Sequence, residues 1–317
     1  MSNFLKLISN ELKKIYVVKS TWIMYIVLAV IIVGTGILNN TVGDIQNSYE
    51  SDSWRTQLEE ENANLTQEME DETYLETYNS MVIEQNNYYL ENDIQPSGYG
   101  AWHFIMENKM LLSLVSLLTI IVAAGIIANE FRWGTIKLLL IRPISRTKIL
   151  ISKYVSVLLF ALFTLLFVLI FSGITGAILF GIEGINPYTL LEKNGSLEYV
   201  SVIGEIISGY GYQLIILLMM ATFAFMISSV FRNSALAIGL AIFLMFVGNQ
   251  IVFFFAERSW AKYILFANTD LSQYADGNTP FIEGMTLGFS ITMLLIYYIV
   301  FMLLAWIFFT KRDVAGN

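Results

Sequence analysis

The sequence predicts an all-α polytopic membrane protein with six transmembrane helices, an N-terminal interfacial helix and a small helical extracellular domain between the first two spans. The first observation is composition: 56% of the 317 residues are hydrophobic and only 14% are charged. Soluble proteins carry about 25% charged residues. The second is a set of six uncharged runs, each long enough to cross a bilayer, which takes about 20 residues. The third is the uneven distribution of Lys and Arg between the connectors.

The six predicted spans follow the uncharged runs in order. They cover 20–43, 110–128, 148–182, 206–231, 233–256 and 284–310. The first run is long and lacks a convincing cleavage site of small residues, so we expect an uncleaved anchor rather than a signal peptide.

Residues 1–19 precede the first span. Phe4, Ile8, Leu12 and Ile15 recur there at helical spacing, while the basic residues lie elsewhere on the circumference. This pattern is typical of an amphipathic helix lying in the cytoplasmic headgroup layer. The alternative is a frayed basic tail.

Orientation follows from the basic residues, since Lys and Arg accumulate in cytoplasmic connectors. With the N-terminus inside, 13 of the 18 Lys and Arg residues lie in inside segments, including the tail 311–317. Only Glu11, Glu130 and Asp313 among the 26 acids lie inside. The sequence therefore predicts a multi-pass protein of the plasma membrane with both termini in the cytoplasm.

Residues 44–109 form the largest predicted external segment. The segment holds 15 acids and, apart from Lys109 at its end, one base, Arg55, and it is rich in helix-forming residues. The residues that we expect to line one side of a helical pair are Trp54, Leu58, Leu65, Met69, Leu75, Tyr78 and Val82. The acids either form a solvated face or attract a cationic ligand through their long-range field. In the second case Glu59, Glu60 and Glu61 are the candidates for substrate capture.

Two further external connectors, 183–205 and 257–283, are also acidic. Each contains apolar residues, so we expect short re-entrant or interfacial helices in both. The link between the fourth and fifth spans is little more than Arg232-Asn233, which predicts a tight turn.

Several kinds of chemistry have no motif in this chain. It has no Cys and a single His, His103, so disulfides and thiolate metal sites are excluded and a His-ligated metal is not expected. The pattern of a phosphate-binding P-loop is absent as well. No ionisable residue lies near the centre of a predicted span, although ion-coupled carriers usually keep one there. We therefore predict no catalytic residues, no metal or cofactor in this chain and no nucleic-acid partner.

The most basic part of the sequence is the predicted inside connector 129–147. Its helix-compatible first part is stopped by Pro143, and Ser145 is placed to cap a helix that continues into the third span. Phe131, Thr135, Leu138 and Arg142 share one face at 3–4 spacing. A short helix with apolar side chains and flanking charge suits docking to a cytoplasmic partner. The alternative is a solvated basic loop that only sets topology.

This connector resembles the signature of the ABC-2 family of ABC exporter permeases, which runs roughly E-x-x-x-G-T-x-x-x-L-L-x-x-P-[IV]-S-R-x-x-x-x-x-x-K. The residues in register are Glu130, Gly134, Thr135, Leu139, Leu140, Pro143, Ile144, Ser145, Arg146 and Lys153. Its position between the second and third spans also matches, as do six spans with inside termini.

The resemblance implies a bacterial membrane subunit of an ATP-driven exporter, with the connector as the coupling helix. ATP and Mg would then be bound by a separate ATPase subunit, present in two copies, and a second permease, identical or homologous, would complete the assembly. The implied coupling residues are Glu130, Phe131, Gly134, Thr135, Leu138, Leu139, Pro143 and Arg146. The substrate would be a peptide antibiotic or a lipid-like compound.

One feature departs from the compact members of that family. The external segment 44–109 is larger, and in this respect the chain looks more like permeases linked to peptide-antibiotic resistance or ion efflux. The competing hypothesis is a membrane sensor or immunity protein, whose acidic segment binds a cationic peptide without transport.

Overall fold

The computed structural model describes residues 3–42, 53–71, 76–136, 143–182, 184–185, 187–193, 195–275 and 279–311. These residues are mostly helical. The helices are α1 (Asn3–Val17), α2 (Lys19–Val42), α3 (Trp54–Asp71), α4 (Glu76–Glu91), α5 (Ala101–Glu107), α6 (Leu112–Arg132), α7 (Arg146–Phe180), α8 (Val202–Phe231), α9 (Ser234–Phe255), α10 (Leu265–Thr269) and α11 (Leu287–Lys311). Two strands, β1 (Tyr188–Lys193) and β2 (Ser196–Ser201), and the 3-10 turns Asn108–Leu111, Ala261–Tyr263 and Leu271–Tyr274 complete the described elements.

Among the described residues, six helical stretches are long and apolar enough to cross a membrane, which agrees with the predicted number of spans. They are Lys19–Thr41, Ala101–Arg132, Arg146–Phe180, Val202–Phe231, Ser234–Phe255 and Leu287–Lys311. The second stretch begins at Ala101 instead of residue 110. The reason is that Ala101, Phe104 and Ile105 are helical and buried, so the charged Lys109 does not mark the start of the helix.

The described chain divides into two compact units. The first comprises Met1–Val30, Met110–Leu169 and Gly209–Asn317, and the second comprises Ile31–Lys109 and Ile170–Ser208.

The first unit has a core in which small residues face one another on α6 and α8. Ala124 and Ala224 are fully buried, and Ser228 Oγ donates to the Ala124 carbonyl oxygen at 2.6 Å. Gln213 Nε2 donates to Ser116 Oγ at 3.1 Å. Small side chains allow close approach of helix backbones, and hydrogen bonds then link them, which is a common way for helices to pack in a membrane.

The predicted short helices in 257–283 and the tight turn before α9 are both confirmed. The first segment contains α10 between two 3-10 turns. At the second, α8 ends at Phe231 and α9 begins at Ser234, with Arg232 at φ +54° between them. Asn233 caps α9, because its Oδ1 accepts a hydrogen bond from the Leu236 N–H at 3.1 Å.

The second unit contains the predicted helical pair as α3 and α4. Trp54 and Leu58 are buried as expected. Tyr78 was predicted to line the same interface, but this was wrong, since 60% of it is exposed. The buried positions of α4 are instead Asn79 and Asn86, which hydrogen-bond to α3. Polar side chains therefore occupy part of the interface that we expected to be apolar.

The connector 183–205 does not form the short helix that we predicted, and the fold is therefore not all-α. β1 and β2 form an antiparallel hairpin in which Lys193 pairs with Ser196. The residues between these partners are Asn194-Gly195, and Gly195 has φ +75°. Asn-Gly between two short alternating segments is the strongest local signal for a two-residue hairpin turn, because the turn requires positive φ.

Candidate functional site

Four charged side chains from three helices meet inside the first unit. Glu11 and Lys14 come from α1, Glu130 from the last turn of α6, and Lys153 from the start of α7. Glu11, Glu130 and Lys153 are only 4%, 7% and 0% exposed. We refer to these residues as the four-charge cluster. Charges buried this deeply are tolerated only when they are paired and hydrogen-bonded.

The four-charge cluster is a closed ring of alternating signs. Lys14 Nζ lies 2.7 Å from Glu11 Oε1 and 2.9 Å from Glu130 Oε1. Lys153 Nζ lies 2.8 Å from Glu11 Oε2 and 2.7 Å from Glu130 Oε1. Lys153 Nζ also lies 3.4 Å from the Ile126 carbonyl oxygen, so each of its three N–H groups has an acceptor. The two acids and two bases leave no net charge.

The ring forms because α1 carries charges on the same side as its apolar residues. Ile8, Glu11 and Ile15 follow one another at 3–4 spacing, and all three are buried. Ser156 of α7 donates from its Oγ to the Ile8 carbonyl oxygen at 3.2 Å. The α1 helix is thus attached to α7 by apolar packing, by a hydrogen bond and by the cluster. A helix covers Asn3–Val17, within the predicted range 1–19, and its position at the membrane surface stays a prediction.

The surroundings shift the ionisation of the two α1 residues. Burial alone would raise the pKa of Glu11, but Lys153 and Lys14 outweigh it and hold that pKa below the ordinary value. Burial alone would lower the pKa of Lys14, but its hydrogen bonds to Glu11 and Glu130 hold it above the ordinary value. Both residues are therefore charged at neutral pH.

A cavity of about 790 Å³ lies beside the cluster, between α1, α2 and α6. Glu11, Lys14 and Glu130 line it, together with Lys13 and Trp133. While Glu130 Oε1 accepts from both lysines, its Oε2 is buried and has no hydrogen-bond partner among the described residues. Glu130 Oε2 is therefore a buried carboxylate oxygen that no described donor satisfies.

The connector begins where α6 ends. The Trp133 N–H donates to the Asn129 carbonyl oxygen at 2.9 Å, and the Gly134 N–H donates to that of Phe131 at 3.2 Å. Gly134 has φ +70°, the left-handed conformation that ends many helices and that glycine adopts without strain. Thr135 follows and is exposed. The end of α6 requires this left-handed conformation, which explains why the ABC-2-like motif has glycine at position 134.

The far side of the connector is the start of α7. The predicted cap is confirmed: the helix begins at Arg146, and Ser145 Oγ accepts from the Lys148 N–H at 3.4 Å. Arg146 Nη1 donates to the Thr310 carbonyl oxygen at 2.9 Å, near the end of α11. Pro143 precedes this start and is exposed.

The predicted coupling residues do not share one environment. Gly134, Thr135 and Pro143 are exposed, whereas Glu130 is buried in the cluster. Phe131 is partly buried, its ring lying 4.2 Å from the guanidinium carbon of Arg232. Arg146 is also partly buried, and Leu138 and Leu139 lie outside the described residues. A coupling role for these side chains stays a prediction, and for Glu130 it would have to act through the position of the helices.

The candidates for substrate capture lie on α3. Glu59 and Glu60 are exposed. Glu61 is partly buried, and its Oε2 accepts a hydrogen bond from Asn86 Nδ2 at 3.2 Å. The three acids are therefore not equivalent, since Glu61 also helps to hold α3 against α4.

Sequence reasoning missed Glu11 and Lys14 as site residues. The sequence did contain a signal for Glu11. Glu11 and Glu130 are two of only three acids in the predicted cytoplasmic segments, which hold 13 basic residues. An isolated acid in a basic region is a candidate for a specific ion pair. The partner of each could not be inferred without knowing how α1 packs.

Comparison with known proteins places the chain among relatives from Bacillus subtilis (strain 168). The uncharacterized protein YhcI is 45% identical over 318 aligned residues, covering 98% of this chain and all of YhcI. The uncharacterized membrane protein YdbK is 34% identical over 213 residues, covering 67% of this chain and 82% of YdbK. Together with the six apolar helices, the second likeness supports a membrane protein. Residues 72–315 match the family described as protein of unknown function (DUF2705), and the chain belongs to that family.

Proposed function

We propose that this chain is the transmembrane permease subunit of an ATP-driven ABC exporter in the bacterial plasma membrane. One observation carries the proposal: Glu130 and Lys153, the first and last residues of the ABC-2-like motif, lie 2.7 Å apart and share α1 as a third partner. A connector whose two ends are joined in this way is suited to transmit force. A loop that only set topology would not need its ends tied by buried charges.

In this proposal a separate ATPase subunit docks on the exposed part of the connector, around Gly134, Thr135 and Pro143. Closure of two ATPase subunits on ATP displaces the connector. Because the four-charge cluster links α6, α7 and α1, these helices move together rather than one at a time. Glu130 and Lys153 are then positioning residues, and the chain performs no covalent chemistry of its own. ATP and Mg are bound by the partner.

The assembly holds two permeases, identical or homologous, with both termini of this chain in the cytoplasm. The α1 helix then lies at the cytoplasmic surface of the membrane, and the acidic pair α3 and α4 lies outside. Such an arrangement fits export of a peptide antibiotic or a lipid-like compound.

A second candidate function rests on the acids of α3. The exposed carboxylates of Glu59 and Glu60 are suited to bind a cationic peptide, and a sensor or immunity protein would need no ATPase. The two functions therefore differ in their partner, although both use the same acidic helices.

Co-purification separates them. The chain is purified in mild detergent from its native membranes, and bound proteins are identified by mass spectrometry. Export predicts a stoichiometric partner that carries a P-loop and hydrolyses ATP. Recovery of the chain without any ATP-hydrolysing protein, under conditions that preserve a known exporter complex, would reject export and favour the sensor.

A further inference from the structure

The cavity beside the four-charge cluster has an apolar part and a polar part along the axis of α6. Ile121, Val122 and Ile126 line it earlier on the helix, and Asn129 lines it in the last turn. An α-helix rises 1.5 Å per residue, so Val122 and Asn129 are separated by roughly 10 Å along this axis. The lining therefore suits a ligand with one apolar end and one polar end.

The α2 helix lines the cavity with the same order of residues. Ser20 and Thr21 lie in its first turn, and Met24 follows one turn further into the apolar stretch Lys19–Thr41. Trp133, which is 62% exposed, also lines the cavity. Tryptophan is enriched at the headgroup level of membranes because its ring is apolar and its N–H is polar. The polar part of the cavity thus corresponds to the level of the lipid headgroups.

The charges that reach the surface of the cavity are positive. Lys13 is exposed, and the Lys14 side chain is 50% exposed. The acids of the same lining, Glu11 and Glu130, are only 4% and 7% exposed, and both are paired with Lys14 and Lys153. Because the four-charge cluster is neutral, Lys13 leaves the site with one positive charge. A ligand with a single negative charge balances it.

The polar part of the lining also offers hydrogen-bond donors. The Lys14 ammonium gives two of its three N–H groups to the acids of the cluster, and the third has no acceptor among the described residues. The Asn129 amide lies against Gly125, where an added Cβ would come within 2.9 Å of Asn129 Nδ2, and its N–H groups donate to no residue that the structure describes. Together with the Lys13 ammonium, these groups can donate to the oxygens of one phosphate.

We infer that this cavity binds an anionic phospholipid, one whose headgroup carries a single phosphate charge and no cation. The phosphate oxygens accept from Lys13, Lys14 and Asn129, and one acyl chain lies along Met24 and Val122. Basic pockets between membrane helices are a recurring site for anionic lipid headgroups. The cavity volume of about 790 Å³ falls within the range of about 300–1,000 Å³ that is usual for ligand sites.

The charge of the site selects this headgroup over two common neutral ones. Phosphatidylcholine and phosphatidylethanolamine each carry an ammonium beside the phosphate, so their net charge is zero. That ammonium would lie near Lys13 and Lys14 without an accessible carboxylate, since both acids of the cluster are buried. Arg132 adds to the same preference, because its guanidinium carbon lies 5.7 Å from the centre of the Trp133 ring, beside the cavity.

The test compares three phospholipids with identical acyl chains on the purified full-length chain. Phosphatidylglycerol, phosphatidylcholine and phosphatidylethanolamine are mixed in equal amounts, and the lipid retained in detergent is counted by native mass spectrometry. We expect phosphatidylglycerol to be retained about fivefold over each of the other two, which is the effect of one basic residue beside an anionic headgroup. The preference should shrink as salt is added. Retention of either neutral lipid at the level of phosphatidylglycerol would overturn the inference.

Two substitutions on α1 separate the cavity from a general attraction to basic residues. Lys13 lines the cavity, whereas Lys6 is exposed on the same helix and does not line it. Lys13→Gln and Lys6→Gln each remove one positive charge. We expect Lys13→Gln to retain the three lipids about equally and Lys6→Gln to keep the preference. An unchanged preference in Lys13→Gln, or an equal loss in both variants, would contradict binding in the cavity.

Two substitutions on α2 test the apolar part of the site. Met24→Trp fills part of the cavity, whereas Ile23→Trp adds the same side chain at a neighbouring position that is 58% exposed and does not line it. Retention of phosphatidylglycerol should fall in Met24→Trp and stay at the wild-type level in Ile23→Trp. If Met24→Trp retains the lipid as the wild type does, the lipid binds elsewhere and the inference fails.

A soluble competitor distinguishes a lipid from a free phosphate compound. Glycerophosphoglycerol has the headgroup of phosphatidylglycerol without acyl chains, so at equal concentration it should not displace the lipid. Displacement would show that the acyl chain contributes nothing, and the ligand would then not be a lipid. Binding is measured on the chain alone, so these results do not depend on an ATPase partner.

Discussion

Lys153 Nζ lies 2.7 Å from Glu130 Oε1, and the two residues are 0% and 7% exposed. They lie on the helices that flank the basic connector, so the pair brings the last turn of α6 against the N-terminal part of α7. Glu11 of α1 completes the arrangement by accepting from the same Lys153 ammonium at 2.8 Å. The connector is therefore anchored to the helix that precedes the first span as well as to its own flanking helices.

Removing Lys153 should strongly destabilise the first unit. Lys153→Met keeps the length of the side chain but leaves Glu11 and Glu130 with only the half-exposed Lys14. Breaking one partner of a buried ion pair typically costs about 3–5 kcal/mol. Unfolding in a detergent–denaturant titration measures this loss.

The matched control is Lys148→Met, an exposed lysine on the same helix. Its effect should stay within about 0.5 kcal/mol. Adding Glu11→Gln to Lys153→Met should recover part of the lost stability, because one uncompensated charge is removed. Equal stability of the two single variants would contradict the burial of Lys153.

Stability should fall in acid through Glu11. Its folded pKa lies below the ordinary value of 4.5, so its contribution is complete above pH 4.5 and is lost as the pH falls through the lowered pKa. Lys14 has the opposite sign: its pKa is raised, so its contribution is complete below pH 10.5 and is lost as the pH rises beyond that. The second effect is small, because Lys14 is half exposed and screened by water.

Thermal unfolding of the wild type and of Glu11→Gln between pH 3 and 7 tests whether Glu11 causes the loss of stability in acid. The difference between the two curves should be largest at neutral pH and should shrink below pH 4.5, the ordinary pKa of this carboxyl. A constant difference over the whole range would show that Glu11 does not titrate with unfolding.

Gly134→Leu should impair coupling without unfolding the chain. A Cβ at Gly134 would meet nothing within 4 Å, so the cost is limited to the positive φ of +70°, about 1–2 kcal/mol. The connector would relieve this strain by changing its conformation, and ATPase stimulation and transport should fall together.

Gly284→Leu is the control for that experiment. Gly284 has φ +79° and equally open surroundings, but it precedes α11 and is far along the chain from the connector. It should carry a similar strain and leave coupling near the wild-type level. A similar loss in both variants would mean that strain alone, and not the connector, causes the defect.

Binding of a cationic peptide should depend on Glu59 and Glu60. Replacing both with Gln lowers the local field, and the loss should be larger at low salt, because physiological ionic strength screens charges over about 8 Å. Peptide binding is measured over a salt series. The control is the double variant Glu192→Gln and Glu198→Gln, which removes two charges from the hairpin instead. If peptide binding depends on salt concentration in the same way in both double variants, capture by α3 is excluded.

The spans were predictable because a bilayer needs long uncharged helices, and nothing else in a chain produces six of them. The hairpin was also predictable from Asn194-Gly195, but the apolar residues around it were interpreted as helical. Burial of Asn79 and Asn86 in place of Tyr78 was not predictable, because amides enter an interface only when specific acceptors such as the Leu65 carbonyl and Asn62 lie opposite.

Two of the four residues of the four-charge cluster could be predicted from the sequence. The motif identified Glu130 and Lys153, but sequence gives no distance between a helix end and a helix start. Glu11 and Lys14 join them only because α1 packs its Ile8 and Ile15 side inward. The local pattern therefore located the connector, whereas tertiary packing decided that Glu130 and Lys153 point inward.

Docking of an ATPase on the connector can be detected directly by site-specific photo-crosslinking. A photoreactive residue replaces Thr135, which is exposed beside Gly134, or Tyr78 on α4, which is 60% exposed. We expect a crosslink from position 135 to a P-loop protein that hydrolyses ATP, and none from position 78. Absence of such a protein from the position 135 adducts, or equal crosslinking from both positions, would contradict it.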